Sequence, residues 1–359
     1  MRSLYIATGL LSAVILYLLM WPVPIQPVSW TAPADRGLID PYAPNDLLSS
    51  AFAIDLEPFE GPEDAAIGAD GHIYMTTHSG HVIQLKNGRI KQFAFPGGRP
   101  LGIEAQSDGT FVIANAFKGL QQVDRNGVTT TLLSEVDGQP LVYANNLAVG
   151  PDGRVYFSES SSKFGAESSH GTYEASLLDL MEHGGHGRVF AFDPATGKVQ
   201  VLLEGLNYAN GVAVSEDGSF LLVSETGHYR VLKHWITGER QGQTEVLLDN
   251  LPGFPDNLKN GLQGRFWLGL AAPRNKLLDQ MADKPFLRKV VQRLPQRLRP
   301  KAVPSSHVIA FNGDGEVLMN LHDPRARFPT LTGVIETRRS LYLTTLFGVS
   351  LPRVDKRDL

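Results

Sequence analysis

Four oxygen-bearing side chains recur at one position relative to a tight turn. Each lies seven residues before an Asp-Gly or Gln-Gly pair and leads into an apolar stretch: Glu63, Asn145, Asn210 and Asp256. Carboxylate and amide oxygens are hard ligands of the kind that bind Ca²⁺ in proteins. If the fold brings these positions together, the sequence predicts a metal site. Whether they meet depends on the elements that carry them.

The segments around these residues form a repeat. Aligned on their turns, six units share two apolar columns before the turn and a third after it, and they begin at Glu63, Leu101, Asn145, Asn210, Asp256 and Leu331. An apolar run of period two, a tight turn and a second apolar run predict a β-hairpin. Units of about 40 residues with four strands each are typical of a β-propeller. We therefore predict an all-β fold, a six-bladed β-propeller over residues 51–359.

The last unit ends near Leu351 after three strand-like runs. The stretch AFAIDLEP at 51–58 is available as its fourth strand, which would close the ring and remove an open edge. The first strand of each propeller blade lines the central channel, so the four polar residues would meet at its axis. The alternative is that they only begin strands, as Asn and Asp often do.

The converging side chains would form one hard-oxygen set, made of Glu63, Asn145, Asn210, Asp256 and Asn257. Two carboxylates balance one divalent cation, and Ca²⁺ is the predicted occupant, since zinc usually takes His or Cys. A calcium ion with an open coordination position polarises an ester or lactone carbonyl, although the same ion could be purely structural. Leu101 and Leu331 occupy the same phase in the other two blades, which leaves an apolar side for a substrate.

Composition excludes several other functions. The 359-residue chain has a net charge of −4, which does not indicate a nucleic-acid partner. It contains no cysteine, so disulfides, thiolate metal sites and a cysteine nucleophile are excluded.

The N-terminus predicts a membrane anchor. Residues 4–21 carry no charge and are about long enough to cross a bilayer, with Arg2 before them and prolines after. We interpret 1–24 as a signal-anchor, a transmembrane helix, and 25–50 as a Pro-rich linker. The protein would then be single-pass with the propeller on the extracytoplasmic side. A cleaved secretory signal is the alternative.

Two insertions interrupt the repeat. Residues 165–187 lie between the second and third strands of the third blade and include a short helical stretch that could cover the channel as a lid. Residues 273–304, in the fifth blade, combine an apolar stripe with Lys and Arg residues. That combination is typical of a helix at a membrane surface, but a solvated helix packed on the propeller is an equal alternative.

Several motifs resemble a known superfamily. They are RPLGIEA, FKGL, VYFSESSSKF, LLEGLNYANGVAVSEDGSFLLVSET, LPGFPDN and LHDP. From about residue 55 to the end the chain resembles the superfamily of gluconolactonase and regucalcin, the paraoxonases and strictosidine synthase-like proteins, and within it most resembles the adipocyte plasma membrane-associated protein type. The resemblance implies a six-bladed propeller that hydrolyses esters or lactones with calcium.

By the same resemblance, Glu63, Asn145, Asn210, Asp256 and Asn257 fall on the family's metal-ligand positions. An acidic ligand often serves as general base in this family, which here implies Asp256 or Glu63 as catalytic residue. A second, structural calcium, as in paraoxonases, would involve Asp64, the carbonyl of Ile103 and Asn146. Leu101 and Asn115 stand where paraoxonases have two histidines, so their histidine mechanism is not implied.

Glu336 resembles the last-blade position at which strictosidine synthase keeps its catalytic glutamate. Three functions therefore stay open: a calcium-dependent ester or lactone hydrolase, which we favour, a non-catalytic propeller held together by calcium, and an enzyme that condenses an amine with an aldehyde.

Overall fold

The chain forms an all-β propeller of six blades. We describe it from a computed structural model, which covers residues 2–359. Over that range the sheets of the ring comprise six groups of four antiparallel strands, in which neighbours along the chain are neighbours in the sheet, apart from one closing strand. The predicted fold class is thus confirmed for the propeller.

The strands follow the repeat. Strand β1 (Phe52–Asp55) precedes the first blade. Blade 1 contains β2 (Ala65–Ile67), β3 (Ile73–Thr76), β4 (Val82–Lys86) and β5 (Arg89–Ala94). Blade 2 contains β6 (Pro100–Ala105), β7 (Phe111–Asn115), β8 (Gly119–Val123) and β9 (Thr129–Leu133), followed by a small hairpin of β10 (Glu135–Val136) and β11 (Gln139–Pro140). Blade 3 contains β12 (Ala144–Val149), β13 (Val155–Glu159), β14 (Gly187–Asp193) and β15 (Lys198–Leu206).

Blades 4 to 6 continue the pattern. Blade 4 contains β16 (Ala209–Val214), β17 (Phe220–Glu225), β18 (Arg230–Trp235) and β19 (Thr244–Leu248). Blade 5 contains β20 (Gly253–Asn260), β21 (Phe266–Pro273), β22 (Ser306–Phe311) and β23 (Val317–Asp323). Blade 6 contains β24 (Leu331–Glu336), β25 (Ser340–Thr345) and β26 (Ser350–Asp355).

The ring closes between its two ends. Strand β1 pairs antiparallel with β26, with Phe52 opposite Arg353 and Asp55 opposite Ser350, so it supplies the fourth strand of blade 6. The predicted closure by the stretch from residue 51 is confirmed. Closure removes the exposed edge that an open ring would present for pairing with another chain.

The hydrophobic core lies between the blades. One cluster joins Val231 of blade 4 to Leu268 and Phe311 of blade 5, and a second joins Trp267 of blade 5 to Leu343 of blade 6. These side chains come from the apolar columns of the repeat. Burying them between neighbouring sheets fixes how the inner strands approach each other around the channel.

Both insertions follow the second strand of their blade. The first contains α2 (Thr172–Glu182). The second contains α3 (Lys276–Gln280) and α4 (Pro285–Arg293). Because antiparallel strands alternate in direction, the end of a second strand and the start of a first strand lie at the same end of a sheet. The insertions therefore stand at the end of the channel where Glu63, Asn145, Asn210 and Asp256 are found.

The N-terminal residues form α1 (Arg2–Met20), most of whose apolar side chains are exposed, while Leu18 is partly buried. Among the helices of residues 2–359, none is long and apolar enough to be identified as a membrane span. The end of α1 contacts α4, since Arg293 donates to the carbonyls of Leu18 and Trp21. The linker that follows α1 packs against the end of α2, since Val28 donates its amide to Glu182 O over 2.8 Å and Ile25 is buried.

Candidate functional site

A cavity of about 1160 Å³ opens at the insertion end of the channel. Its floor includes all four polar residues of the repeat, Glu63, Asn145, Asn210 and Asp256. Its walls come from α2, from α4 and from the segment that follows α4. The four side chains that the spacing singled out are thus brought to one cavity, which the two insertions also line.

Two hydroxyl groups orient the two amides. Asn145 Nδ2 donates to Ser160 Oγ at 2.7 Å, and Asn210 Nδ2 donates to Thr226 Oγ1 at 3.3 Å. Each hydroxyl is itself fixed, because Ser160 donates to Ala209 O at 2.8 Å and Thr226 donates to Pro255 O at 2.7 Å. With their nitrogens bound in this way, both amides present their oxygens to the channel.

Three buried oxygens on this floor have no hydrogen-bond partner within the described chain: Glu63 Oε2, Asn145 Oδ1 and Asn210 Oδ1. A buried polar atom without a partner costs free energy, so such atoms normally have a protein, water or ion partner. Three of them on one cavity floor, with the carboxylate of Asp256, fit the oxygen ligands of Ca²⁺. Residues 2–359 contain no cluster of three or more His, Asp or Glu side chains that could hold a metal ion. The set proposed here differs from such a cluster, since Asn145 and Asn210 supply two of its four side chains.

The two carboxylates repel each other in the absence of a cation. Burial raises the pKa of Glu63 well above its usual value, and the charges of Asp256 and Asp64 raise it further. Burial likewise raises the pKa of Asp256 to about 7, although the Asn210 amide opposes the shift. A divalent cation bound between these two carboxyl groups would lower the pKa of both and balance their negative charge.

A second tier of polar side chains lies one residue further along the chain in three of the four blades: Asp64, Asn146 and Asn257, with Gly211 at this position in blade 4. Asn257 donates from Nδ2 to Glu63 Oε1 at 3.1 Å and to Glu63 O at 3.0 Å, while its Oδ1 accepts from Asn146 at 3.1 Å. The amide oxygen of Asn257 is thus turned toward Asn146, and a half-turn of the amide would present it on the Glu63 side. Asn257 supports the floor in this arrangement.

The expected second metal site does not fit this structure. The ammonium group of Lys259 lies 2.9 Å from Asp64 Oδ2 and 2.8 Å from Ile103 O, where the ion would bind. Asn146 Oδ1 accepts from the amide of Val212 at 2.9 Å and faces neither group. The set of Asp64, Ile103 and Asn146 is therefore corrected: its oxygens already have protein donors.

Glu336 is not brought to the cavity. It ends β24, five residues after Leu331, which puts it about 16 Å further along the strand. Its buried carboxylate accepts from Trp267 Nε1 and from the Leu262 amide, each at 2.9 Å, and pairs with Lys356. Burial alone would raise the pKa of Glu336, but these donors hold it below its usual value. Its expected catalytic role is corrected to a structural one.

Other pocket residues escaped prediction. Tyr143 and Tyr208 both line the cavity, and their hydroxyls are 2.5 Å apart. Tyr143 donates to Thr172 O at 2.8 Å, which links the floor to the lid helix α2. Burial raises the pKa of both tyrosines, so both are neutral donors. Tyr208 has a φ of 62°, a left-handed conformation that is strained for a large side chain.

Arg99 is a second residue that the sequence did not single out. Its guanidinium is buried, and Nε and Nη2 have no hydrogen-bond partner within the described chain. Burial lowers the pKa of Arg99, although the charge of Glu63 opposes the shift. The guanidinium, whose Nη1 donates to Pro100 O at 3.4 Å, adds a positive group near the Glu63 carboxylate at this end of the channel.

Some sequence signal for the supporting residues does exist. Ser158-Glu159-Ser160 and Ser224-Glu225-Thr226 end the second strands of blades 3 and 4. In each triplet the last hydroxyl orients the channel amide, and the first bonds backbone, Ser158 to Asn210 O and Ser224 to Asp256 O. The recurrence of a hydroxyl at this phase would have identified both groups.

The comparisons with known proteins agree with the fold and the motifs. Family models described as strictosidine synthase and as strictosidine synthase-like, N-terminal, match residues 145–239 and 40–85. Adipocyte plasma membrane-associated protein of Bos taurus is 33% identical, over 92% of this chain and 83% of that protein, and the Homo sapiens protein is 32% identical over 96% and 86%.

Solved structures show the same fold at low sequence identity. A gluconolactonase from Xanthomonas campestris gives a TM-score of 0.63 at 16% identity, covering 91% of this chain and 97% of that one. A calcium-binding regucalcin from Agrobacterium tumefaciens gives 0.56 at 15%, covering 84% and 92%. Together with the family matches, these comparisons show that the chain belongs to the strictosidine synthase-like family, which includes the adipocyte plasma membrane-associated proteins.

Proposed function

We propose that this chain is a calcium-dependent hydrolase of carboxylic esters or lactones. The observation that carries the proposal is the set of three buried, unpartnered oxygens beside Asp256 on the floor of a large cavity. When bound there, calcium would polarise the substrate carbonyl and stabilise the negative charge that develops on it. Glu63, Asn145, Asn210 and Asp256 would hold the ion.

We assign Asp256 as the general base, the group that accepts a proton from the attacking water. Its carboxylate lies on the cavity floor among the residues that would hold the ion, and bound calcium would keep it ionised and therefore able to accept a proton. Glu63 is held more tightly, since Oε1 accepts from Asn257, and it is the better fixed ligand of the two.

The walls of the cavity favour a substrate with a substantial apolar part. Apolar side chains from the floor, α2, α3 and α4 face the cavity, among them Leu101, Phe164, Leu178, Met181, Leu278 and Val291. They would exclude water and hold hydrocarbon beside the polar floor. One fold neighbour is described as a gluconolactonase and another as a calcium-binding protein, which supports the proposed lactonase and its metal but not the choice of an apolar substrate.

We also propose a membrane-facing side at the mouth of the cavity. In α4 the polar face points inward, with Arg288 buried and bound to the carbonyls of Met181 and Ala282, while Phe286 and Leu287 are exposed. A helix that buries polar side chains and exposes apolar ones favours an apolar environment, such as lipid, on its outer side. Because α1 ends against α4, we propose that α1 anchors the chain and that the segment 273–304 lies on the lipid. The relatives named plasma membrane-associated support an association with the membrane. That the propeller lies on the extracytoplasmic side is our proposal from the order of the anchor and the propeller along the chain.

The experiment compares hydrolysis of phenyl acetate and of a medium-chain lactone by the full chain in detergent, with calcium and with chelator. Asp256→Asn keeps the size of the side chain but removes a charge and the proposed base. Its matched control is Asp249→Asn, at an exposed aspartate between blades 4 and 5. We expect calcium-dependent turnover that Asp256→Asn abolishes and Asp249→Asn retains. A chain that binds calcium but turns over neither substrate would instead be a non-catalytic propeller.

A further inference from the structure

Lys259 places a positive charge inside the channel, below the floor of the cavity. Its side chain is 4% exposed, and its ammonium Nζ lies within hydrogen-bond distance of three oxygens. These are Asp64 Oδ2 at 2.9 Å, Ile103 O at 2.8 Å and Glu104 Oε1 at 2.8 Å. An ammonium has three N–H groups, so all three can be used at once.

The three partners come from two blades across the channel. Asp64 leads into blade 1, Ile103 and Glu104 belong to β6 of blade 2, and Lys259 belongs to β20 of blade 5. Asp64 is further fixed by the amides of Ala65 at 2.8 Å and Ile103 at 2.9 Å. One lysine therefore joins three inner strands that lie far apart along the chain.

The geometry leaves no room for a metal ion at this level. A cation would need Asp64 and the Ile103 carbonyl, and Lys259 Nζ already contacts both. The remaining candidate ligand, Asn146, directs Nδ2 toward Asp64 and Asn257 and uses Oδ1 for the Val212 amide. The ammonium is also paired with the carboxylates of Asp64 and Glu104, and it thereby offsets the negative charge that would attract calcium.

Asp64, the Ile103 carbonyl, Glu104 and Asn146 form the lower tier of the channel. We infer that Lys259 is the resident cation of this lower tier and takes the place of a second divalent ion. The chain then binds calcium at one site only, the floor of Glu63, Asn145, Asn210 and Asp256. The lower tier stays tied when calcium is removed, so the propeller does not depend on the metal for its assembly. The inference about the lower tier rests on the fold and not on hydrolysis.

The first test is the number of calcium ions bound per chain, from isothermal titration and elemental analysis of the full chain in detergent. We expect one. Two equivalents in the wild-type chain would overturn the inference, because Lys259 and a second calcium ion cannot share Asp64 and Ile103 O.

The second test removes the ammonium. Lys259→Met should lower the melting temperature by about 5 to 15 °C, in chelator and in calcium alike, because Asp64 and Glu104 lose their buried partner. Lys198→Met, at an exposed lysine of blade 3, should melt like wild type. Unchanged melting of Lys259→Met would contradict the inference.

The third test keeps the inference open to refutation if Lys259→Met does not fold. In Lys259→Ala/Asn146→Asp the ammonium is absent and a third carboxylate is present, so we expect a second calcium equivalent and a melting temperature that rises with calcium. A folded double variant that still binds one ion would contradict it. Since none of these readouts is activity, an inactive wild-type chain would refute the proposed hydrolase and leave the lower tier to be judged separately.

Discussion

Asn145 Nδ2 donates to Ser160 Oγ at 2.7 Å, and this bond turns Asn145 Oδ1 to the channel, where it has no partner in the described chain. The pair shows how the site is built. A hydroxyl at the end of a second strand holds an amide at the start of a first strand, and the amide oxygen is thereby committed to whatever binds at the axis.

Ser160→Ala should therefore weaken calcium binding without removing a ligand. Loss of a group that orients a ligand typically reduces metal affinity by about 10- to 100-fold. Titration of the chelator-treated chain with calcium measures the change, and Ser162→Ala, at the exposed serine two residues on, is the control. Equal affinities of the two variants would show that Ser160 does not orient the site.

Calcium affinity should fall as the pH drops below about 7. Binding requires ionised carboxylates, and burial raises the pKa of Asp256 to about 7 and that of Glu63 well above its usual value. Each group that must lose a proton contributes a loss of about tenfold per pH unit below its pKa. Titrations at pH 8, 7 and 6 test this, and a constant affinity over that range would contradict it.

Stability without calcium should change with pH in the opposite sense. A carboxylate whose pKa is raised on folding contributes stability that is complete below the unfolded value near 4 and is lost as the pH rises through the folded value, about 7 for Asp256. In chelator the wild-type chain should thus gain melting temperature between pH 8 and pH 5.5. Asp256→Asn should gain less over the same range, and an equal gain in both would refute this contribution of Asp256.

Glu336→Gln tests the structural role of that residue. The variant keeps an acceptor for Trp267 but weakens the pairing with Lys356, so we expect a loss of about 1 to 3 kcal/mol in the free energy of unfolding. Hydrolysis by the folded variant should keep the wild-type kcat. If kcat falls while calcium content and folding are retained, Glu336 takes part in the chemistry and the condensing-enzyme alternative gains support.

The exposed apolar face of α4 predicts a dependence on lipid. Phe286→Asp/Leu287→Asp should lower hydrolysis of a long-chain ester presented in anionic vesicles several-fold, because the face would no longer enter the lipid surface. Hydrolysis of soluble phenyl acetate should not change. Leu318→Asp/Val246→Asp, at exposed apolar residues of β23 and β19, controls for the two added charges. Equal losses on both substrates would contradict a membrane-facing role.

Much of the fold followed from the sequence because each blade carries its own copy of a local pattern. The turn spacing and the apolar columns determined the six inner hairpins, and the missing strand at the end pointed to residues 51–58. The convergence of Glu63, Asn145, Asn210 and Asp256 followed from the same symmetry, since equal phases meet at one axis.

The features that escaped prediction depend on pairings that no local pattern encodes. Lys259 reaches Asp64 across the channel, 195 residues away along the chain, and nothing near Lys259 indicates its partner. The inward position of Arg288 in α4 is explained by its hydrogen bonds to backbone carbonyls, those of Met181 and Ala282 among them, and no pattern within α4 indicates these acceptors. Helical periodicity located the apolar stripe of α4 but not the side that faces the protein.

The proposal that channel-bound calcium is needed for hydrolysis is best tested by measuring calcium content and lactone hydrolysis on the same preparation of the full chain. Both are measured before chelation, after chelation and after calcium is restored. We expect one ion per chain, loss of turnover when that ion is removed and recovery when it is returned. The Asp256→Asn variant should lack both the ion and the turnover. A chain that contains no calcium, or an Asp256→Asn variant that binds and hydrolyses like wild type, would contradict the proposal.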